Sequence, residues 1–276
     1  MALSITNNIA ALNAYQNLTN VQDQLTSSIA KLSSGNAITD AGDNAAGLAI
    51  STGLTSQVNG LNQAATNAQS GLDVVQTASG ALTQVTSMLQ RLRDLAVQAA
   101  NDSNSTASRA DIQTEATQIT DELTRVSSST NYNGTNLIDG SASGLTFQVG
   151  ANAGASNEIT VDLSSINVGA LATTLAANKY DSNTDAQASI TAIDTALGTV
   201  STAQATLGAT ENRFNDTIAS VNVASQNLNS ASSQITSTDM AKEMVVFTGQ
   251  QVQAQAATAI LAQANQLTQG VLKLLQ

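Results

Sequence analysis

The side chains that could do acid–base chemistry in this sequence are carboxylates. They form four near pairs: Asp40/Asp43, Asp121/Glu122, Asp181/Asp185 and Asp239/Glu243. The sequence has no His and no Cys, which excludes an imidazole base, a thiol nucleophile and an ordinary zinc site. Each pair falls at a predicted helix end or on a polar face, where the helix dipole favours acids near the N-terminus. We therefore interpret the pairs as capping or solvated groups, and we expect no catalytic residue, no metal site and no cofactor.

Composition points to packed helices. The 276 residues carry a formal net charge of −11, with only 11% charged and 2% aromatic residues, so the 42% hydrophobic share must form a core of small side chains. Nucleic acids and anionic membranes attract clustered Lys and Arg, and here the cations are few and scattered. No apolar run approaches the roughly 18 residues of a membrane span. We expect no nucleic-acid partner and no membrane insertion, and the composition argues against an enzyme.

The densest charge cluster is the segment 90–98, Gln-Arg-Leu-Arg-Asp-Leu-Ala-Val-Gln. Its Leu92 belongs to an apolar helical seam, so the neighbouring side chains are expected to face away from that seam: Arg91, Asp94, Leu95 and Gln98. An apolar residue flanked by Arg and Asp on an exposed face is typical of an interface hot spot. The alternative is a solvated face with local ion pairs, each of a few tenths of a kcal/mol.

Apolar residues recur with the alternating 3 and 4 spacing of a coiled coil, which predicts long helices. One such row of apolar residues, or seam, runs from Leu54 to Ala99. Only Ser79 and Thr86 place a polar residue where the spacing requires an apolar one. The N-terminal seam consists of Leu18, Val21, Leu25 and Leu32, with Ile29 one position off. The C-terminal seam consists of Ile260, Ala264, Leu267, Val271 and Leu274. Glycines within the long seam, including Gly71 and Gly80, favour close backbone approach in a bundle over a hinge.

These patterns predict helices at 4–33, 45–100 (one long helix or a pair), 105–129, about 184–232 and about 240–275. The link at 34–44 contains the helix-stopping Ser33-Ser34-Gly35. Between residues 131 and 180 the chain is rich in Gly, Asn and Ser, and it carries two alternating runs at 145–149 and 159–163. These two runs predict a β-hairpin or small β-element, and we interpret it as a cap on the helical bundle. The predicted fold is mainly α, a long antiparallel helical bundle or coiled coil with paired terminal helices and a small β-hairpin.

The two chain ends carry more apolar residues than one seam can bury. Leu3, Ile5, Ile9 and Leu12 flank Tyr15, and Val245-Val246-Phe247 lies in the other terminal segment. Two lone helices are marginal without further partners. The ends either form a longer two-stranded coiled coil or fold only on self-assembly.

Several ordered motifs make the sequence resemble a bacterial flagellin. They are Asn7–Asn13 (Asn-Asn-Ile-Ala-Ala-Leu-Asn), Lys31–Gly35, Asp43–Ile50, the segment 90–98, Asn133–Gly140, Asn212-Arg213-Phe214, Leu261–Gln266 and Gln269–Leu275. The resemblance covers about 1–140 and 190–276. The stretch between these two regions is short, so the resemblance implies a flagellin without the large variable outer domains.

The resemblance implies a subunit that self-assembles into the flagellar filament for swimming motility. Residues 1–44 and 236–276 would form the inner coiled-coil domain, the filament core. Residues 45–235 would form the outer helical domain, with the β-containing insert at about 141–185 on its distal side. The sequence shows no signal peptide, which alone predicts a cytoplasmic protein. Flagellins are exported unfolded through the flagellar secretion apparatus, so the resemblance implies a secreted protein of the extracellular flagellum.

The resemblance also implies partners. These are other copies of the chain in a helical homopolymer, an export chaperone on the C-terminal helix, the filament cap and the hook-junction proteins. In flagellins of this type the 90–98 region serves subunit packing and is recognised by the flagellin-sensing Toll-like receptor of animals. The corresponding residues here are Gln90, Arg91, Asp94, Leu95, Gln98 and, on the next helix, Glu115, with Asp94 where Glu is common.

Two other readings of the sequence remain. A flagellin-like hook–filament junction protein would share both chain ends but form only a short zone. A chemoreceptor-type helical coiled coil would also favour Ala, Ser and Gln, and it would need a transmembrane segment or a signalling partner.

Overall fold

The computed structural model describes residues 8–274, and side chains as far as residue 266. Six helices dominate it: α1 (Ile9–Ser34), α2 (Ala45–Ala99), α3 (Thr106–Ser129), α4 (Val168–Ala176), α5 (Asn183–Thr236) and α6 (Met240–Leu274). The strands are β1 (Asn131–Tyr132), β2 (Thr135–Asn136), β3 (Leu145–Gln148) and β4 (Glu158–Val161). The predicted fold class is therefore confirmed. The predicted first residues of α1, 4–7, lie outside the described part, and Asn8 caps the helix by accepting from the Ala11 amide.

The chain divides into two compact units. The first comprises the chain up to Ser56 and from Asn227 onwards, and the second is Gln57–Gln226. The divisions fall inside α2 and α5, whereas the sequence placed them at the helix ends, 44/45 and 235/236. A helix that continues through both units gives no local sequence signal where one unit ends, and the predicted domain boundaries stay predictions. The inner and outer roles of the two segments stay predictions.

In the first unit α1 and α6 run antiparallel. The Asn8 amide nitrogen Nδ2 donates to the Ala264 carbonyl at 3.0 Å near one end of the pair. At the other end, backbone hydrogen bonds join the segment after α1 to the segment before α6. The Ala37 amide donates to the Thr236 carbonyl at 2.6 Å, and the Thr238 amide donates to the Gly35 carbonyl at 2.9 Å. Gly35 ends α1 with a left-handed φ of 72°, which glycine adopts without strain.

In the second unit α2 and α5 also run antiparallel. Three pairs of side chains join them, Asn62 to Ser225, Gln76 to Glu211 and Arg93 to Asp194, and the α5 number falls as the α2 number rises. α3 returns antiparallel to α2, because Arg109 donates to the Ala99 carbonyl and Arg91, earlier in α2, donates to Glu115, later in α3. α4 packs on α3. One apolar cluster joins these helices and the β3–β4 hairpin, and its largest fully buried members include Tyr180, Phe214, Leu82 and Leu123.

The predicted hairpin is present. β3 and β4 are antiparallel, with Leu145 opposite Val161 and Phe147 opposite Ile159. The Asn67 side chain donates to the Gln148 carbonyl at 3.0 Å, so the end of β3 lies against the side of α2. The predicted place of the insert on the distal side of the outer domain stays a prediction. α3 has 24 residues and α2 has 55, so α3 ends partway along α2. The end of β3 and the turn after it contact α2 at Asn67 and Gly60.

Between α3 and α5 the chain contains two further elements that the sequence pattern does not predict. β1 and β2 form a second, two-residue hairpin around Asn133 and Gly134. α4 then runs back along α3, and the Tyr180 amide beyond it donates to the Gln113 side chain at 3.1 Å. This return brings the chain to the end of the unit where α5 begins.

Candidate assembly and recognition surfaces

The first candidate surface lies on α2 and α3. Because these helices are antiparallel, Arg91 and Glu115 face each other across them. The Arg91 Nε and Nη2 both donate to Oε1 of Glu115, at 2.8 and 2.6 Å, and the two side chains are 55% and 46% exposed. The resemblance to flagellins assigns both residues to one patch, and in the structure they form an ion pair. We call the exposed set Gln90, Arg91, Asp94, Gln98 and Glu115 the outer patch.

Leu95 does not belong to this surface. It is 1% exposed and lies in the apolar cluster, so its predicted exposed position beside Arg91 is wrong. The predicted seam is the narrow buried stripe of a helix that packs against one neighbour. Because α2 packs against both α3 and α5, its buried stripe is wider. The same widening buries Ala78 and Val85, which lie one position before the two predicted misses at Ser79 and Thr86.

Arg93 faces the opposite neighbour. Residues two apart on a helix point to nearly opposite sides, so Arg93 reaches α5, where its Nε donates to Asp194 at 2.7 Å. This hydrogen bond raises the pKa of the Arg93 guanidinium above its ordinary value. The sequence offered no signal for this pair, because its members lie far apart in the chain.

An open groove of about 400 Å³ adjoins the outer patch between α2 and α3. Its apolar floor consists of Met88, Ile119 and Val126. Its rim carries Arg91 and the Glu122–Arg125 pair, in which Arg125 Nη2 donates to Glu122 at 2.6 Å. This hydrogen bond lowers the pKa of Glu122 below its ordinary value, which keeps the rim charged.

The second candidate surface is the α1–α6 pair. On α1 a row of buried or half-buried positions follows the 3–4 spacing of a coiled coil: Ala11, Ala14, Leu18, Val21, Leu25, Ser28 and Leu32. Ser27 and Lys31 are half-buried beside this row. The predicted Leu18, Val21, Leu25 and Leu32 all lie on this face. Ser28 is 4% exposed and Ile29 is 47% exposed, which confirms that Ile29 is one position off the seam.

The seam on α6 follows a different frame from the predicted one. Its half-buried positions are Glu243, Phe247, Gln250, Ala254, Ala257 and Leu261, followed by buried Ala264. Ala264 belongs to both frames. Ile260 is 59% exposed, so its predicted place in the seam is wrong and Leu261 takes that position. Ile260 and Leu261 are adjacent and both apolar, so the spacing pattern alone does not show which of them lies in the seam. The side chains of Leu267, Val271 and Leu274 lie outside the described residues.

The outward faces of α1 and α6 carry large apolar side chains that the pair leaves uncovered. The most exposed are Ile9 and Leu12 at 65%, Tyr15 at 60%, Val245 at 72%, Val252 at 65% and Ile260 at 59%. Isolated exposed apolar residues are ordinary, but a concentration of them along one helix pair marks an interaction surface. We call these six residues the outward apolar set.

The carboxylates of the predicted near pairs act largely in caps and ion pairs. Asp43 accepts from the Thr39 amide and hydroxyl and lies 3.3 Å from Lys31. Asp239 accepts from the Ala241 and Lys242 amides at the start of α6. Among the residues that the structure describes, no cluster of three or more His, Cys, Asp or Glu could hold a metal ion. No helix in the described part is long and apolar enough to cross a membrane.

This arrangement defines the class of protein. Long antiparallel helices present exposed apolar and charged faces, as a helical structural protein built to associate does. Comparison with known proteins gives the family. The model of the bacterial flagellin N-terminal helical region matches residues 5–143, and that of the bacterial flagellin C-terminal helical region matches residues 190–275.

Curated relatives match over nearly the whole chain. A flagellin of Halalkalibacterium halodurans is 43% identical over 272 residues, covering 99% of both chains. A flagellin of Bacillus subtilis is 38% identical, covering 99% of this chain and all of that one. The crystal structure of Bacillus cereus flagellin matches 56% of this chain and 88% of that one, with a TM-score of 0.51 and 27% identity. The chain belongs to the bacterial flagellin family, the structural proteins of the flagellar filament.

Proposed function

We propose that this chain is the filament subunit itself, and that copies associate through the outward apolar set of the α1–α6 pair. The observation that carries this proposal is the exposure of large apolar residues on both helices of a two-helix unit. Burying them against a neighbouring copy gains roughly 25 cal/mol per Å² of apolar surface. The same surface presented by every copy suits a helical homopolymer.

Charge sets the conditions for this association. Each copy carries a formal charge of −11, so copies repel one another at low ionic strength. Salt at about 0.15 M reduces the screening length to roughly 8 Å, which leaves apolar contacts at short range in control. Polymerisation should therefore be faster at physiological salt than in dilute buffer.

The seam residues have a second role in this proposal. Leu18, Val21, Leu25, Leu32 and Ala264 hold α1 against α6 and so shape the surface that neighbours contact. Leu267, Val271 and Leu274 are proposed to extend the same filament core. Residues 1–44 and 236–276 are then the inner domain, and 45–235 the outer domain.

The outer patch is proposed as a protofilament contact and as the part that the animal flagellin receptor recognises. Arg91 and Glu115 are exposed and charged, as a recognition surface requires, and the adjoining groove supplies apolar contact area. Leu95 contributes only through the core, because it is buried. The contacts proposed for the outer patch itself are therefore polar, and the apolar contacts come from the adjoining groove.

The remaining partners follow from the family. We propose that the chain is secreted unfolded through the flagellar apparatus, with an export chaperone on α6, and that it meets the filament cap and the hook-junction proteins outside the cell. It acts as a structural subunit, without cofactor or catalysis.

The test is seeded polymerisation of the purified chain at physiological salt, followed by light scattering and electron microscopy. Long uniform filaments are expected. Short zones that stop growing, or addition only to a heterologous end, would favour the hook–filament junction alternative. A chain that stays monomeric with seeds at all salt concentrations would contradict the proposal.

A further inference from the structure

The turn between β1 and β2 contains an Asn-Gly pair in an exposed position. Asn133 has a φ of 49° and Gly134 a φ of 82°, both in the left-handed region that a tight hairpin requires and that Asn-Gly supplies best. Both residues are exposed. Within the described residues, the Asn133 side chain makes no hydrogen bond, and the Gly134 amide donates none.

The chain contains a second Asn-Gly pair that serves as an internal comparison. Asn59 and Gly60 lie inside α2, where the Gly60 amide belongs to the helical hydrogen-bond ladder. A Cβ at Gly60 would lie 2.9 Å from the Ala151 Cβ, so this backbone is also covered from outside. The two pairs have the same covalent chemistry and differ in how far their backbone is restrained.

We propose that Asn133 is a site of spontaneous deamidation in the folded chain and that Asn59 is protected. The Gly134 amide nitrogen attacks Cγ of Asn133 and forms a five-membered succinimide. The Cγ–Nδ2 bond breaks and ammonia leaves with the proton from the Gly134 nitrogen. Water then opens the ring at either carbonyl, giving aspartate or its β-linked isomer at position 133, with no change of oxidation state.

The structure explains why this turn reacts and the helix does not. Glycine offers no side chain to block its own nitrogen, and nothing lies within 4 Å of the place where a Gly134 Cβ would be. The attack requires rotation of the Asn backbone. At Asn133 this rotation disturbs a ladder of two residue pairs, Asn131 with Asn136 and Tyr132 with Thr135. At Asn59 it breaks hydrogen bonds in the middle of a 55-residue helix.

The neighbouring Asp139-Gly140 pair is protected from the corresponding succinimide formation in a different way. The Asp139 carboxylate accepts from the Ser141 hydroxyl at 2.6 Å, the Ser141 amide at 2.9 Å and the Asn136 side chain at 2.9 Å. These bonds hold the pKa of Asp139 below its ordinary value, so it stays a carboxylate, which is a poor target for amide attack. A Cβ at Gly140 would also collide with Asn167, which restrains that backbone.

The β-linked product would change the local fold. It adds one carbon to the main chain inside a two-residue turn, so the β1–β2 pairing cannot keep its register. Leu137 and Ile138 follow directly and are fully buried, and the Leu137 amide donates to the Thr130 carbonyl at 3.1 Å. Slow conversion at Asn133 should therefore loosen the segment 130–138. This inference does not depend on the proposed function.

The test is to age the purified full chain at mildly alkaline pH, below its unfolding temperature, and to map it by mass spectrometry. Trypsin separates the two sites, since cleavage after Lys31, Arg91, Arg125 and Lys179 gives peptides 32–91 and 126–179. Fragmentation then locates the exchange of the amide for a carboxyl group. In the folded chain, conversion at Asn133 should be faster than at Asn59 by on the order of tenfold or more, because helix interiors open rarely.

Two controls keep the test decisive. In denaturant both pairs should convert at similar rates, since the backbone restraint is gone. Asn133→Gly retains a turn sequence suited to the hairpin and removes the reacting amide, so its 126–179 peptide should lose this conversion. Equal rates at both sites in the folded chain would overturn the proposal. So would a position 133 that stays unchanged when folded and converts when denatured.

Discussion

The ring of Phe214 fills the space that a side chain at Gly71 would need. Its Cζ atom lies 2.5 Å from the position of a Cβ on Gly71. Phe214 is fully buried, and its ring meets Phe147 edge-on, with centroids 5.7 Å apart and planes at 84°. These three residues come from α5, α2 and β3. The glycine thus permits one aromatic contact to hold two helices and the hairpin together.

Gly71→Ala should destabilise the second unit. The added methyl must displace a buried ring, and overpacking of this kind costs about 1–3 kcal/mol. Gly80→Ala is the matched control, because nothing lies within 4 Å of its Cβ position and alanine gains about 1 kcal/mol in a helix. Urea unfolding should show opposite signs for the two variants. A shift in the same direction for both would contradict the packing role of Gly71.

Arg91→Ala and Leu95→Ala should separate recognition from packing. Arg91 is more than half exposed, so its loss should cost at most about 1 kcal/mol of stability. Leu95 is buried, and its truncation should cost about 2–5 kcal/mol. In a receptor reporter assay with folded protein, Arg91→Ala should lower signalling. If Arg91→Ala signals normally, the recognition role of the outer patch is wrong.

Acid should loosen the link after α1. Hydrogen bonds from the Thr39 amide, the Thr39 hydroxyl and the Asp40 amide, with Lys31 beside them, lower the pKa of Asp43 from 3.8 to about 2. Because the folded-state pKa is lowered, the stabilisation is present above about pH 4 and is lost as the pH falls through about 2. Asp43→Asn should therefore melt earlier than the native chain at pH 5 and equally near pH 2. A difference that persists unchanged at pH 2 would contradict this assignment.

Gln250→Leu should stabilise the α1–α6 pair. Gln250 occupies a seam position, and its buried Oε1 has no hydrogen-bond partner in the described part of the chain. Replacing it with an apolar side chain of similar size removes that desolvation cost, about 1 kcal/mol. Hydrogen exchange of α6 in the monomer measures the gain. The exposed Gln251→Leu is the control, and it should leave the exchange rates unchanged. An unchanged or faster rate in Gln250→Leu would show that Gln250 is not a weak point of the pair.

The helices were predictable because each carries many repeats of one apolar spacing. The predicted ends of α2 and α3, for example, lie within one residue of the observed ones. The hairpin at 145–161 was predictable from two alternating runs around a Gly-rich turn. The short α4 was not, since nine residues give too few turns for a periodic signal. The β1–β2 hairpin carries the standard Asn-Gly turn signal, but each of its strands has two residues, too few for an alternating pattern.

The surfaces were harder to predict than the elements. A spacing pattern identifies an apolar stripe but gives neither its width nor its neighbours. Leu95 was therefore placed outside a core that includes it, and Ile260 inside a seam that excludes it. The ion pairs of Arg91 and Arg93 depend on which helices become neighbours. The partners lie far apart in the sequence, so no local pattern indicates these pairs.

Ile260 belongs to the outward apolar set, which we propose drives assembly, and its large exposed side chain can be replaced without disturbing the core. Ile260→Asp should leave the monomer folded, because this side chain is 59% exposed in the single chain. Ile260→Val keeps an apolar side chain at the same position and is the matched control. In seeded polymerisation followed by electron microscopy, we predict long filaments from Ile260→Val and none from Ile260→Asp, with equal melting temperatures of the monomers. Filaments of native length from Ile260→Asp would contradict the claim.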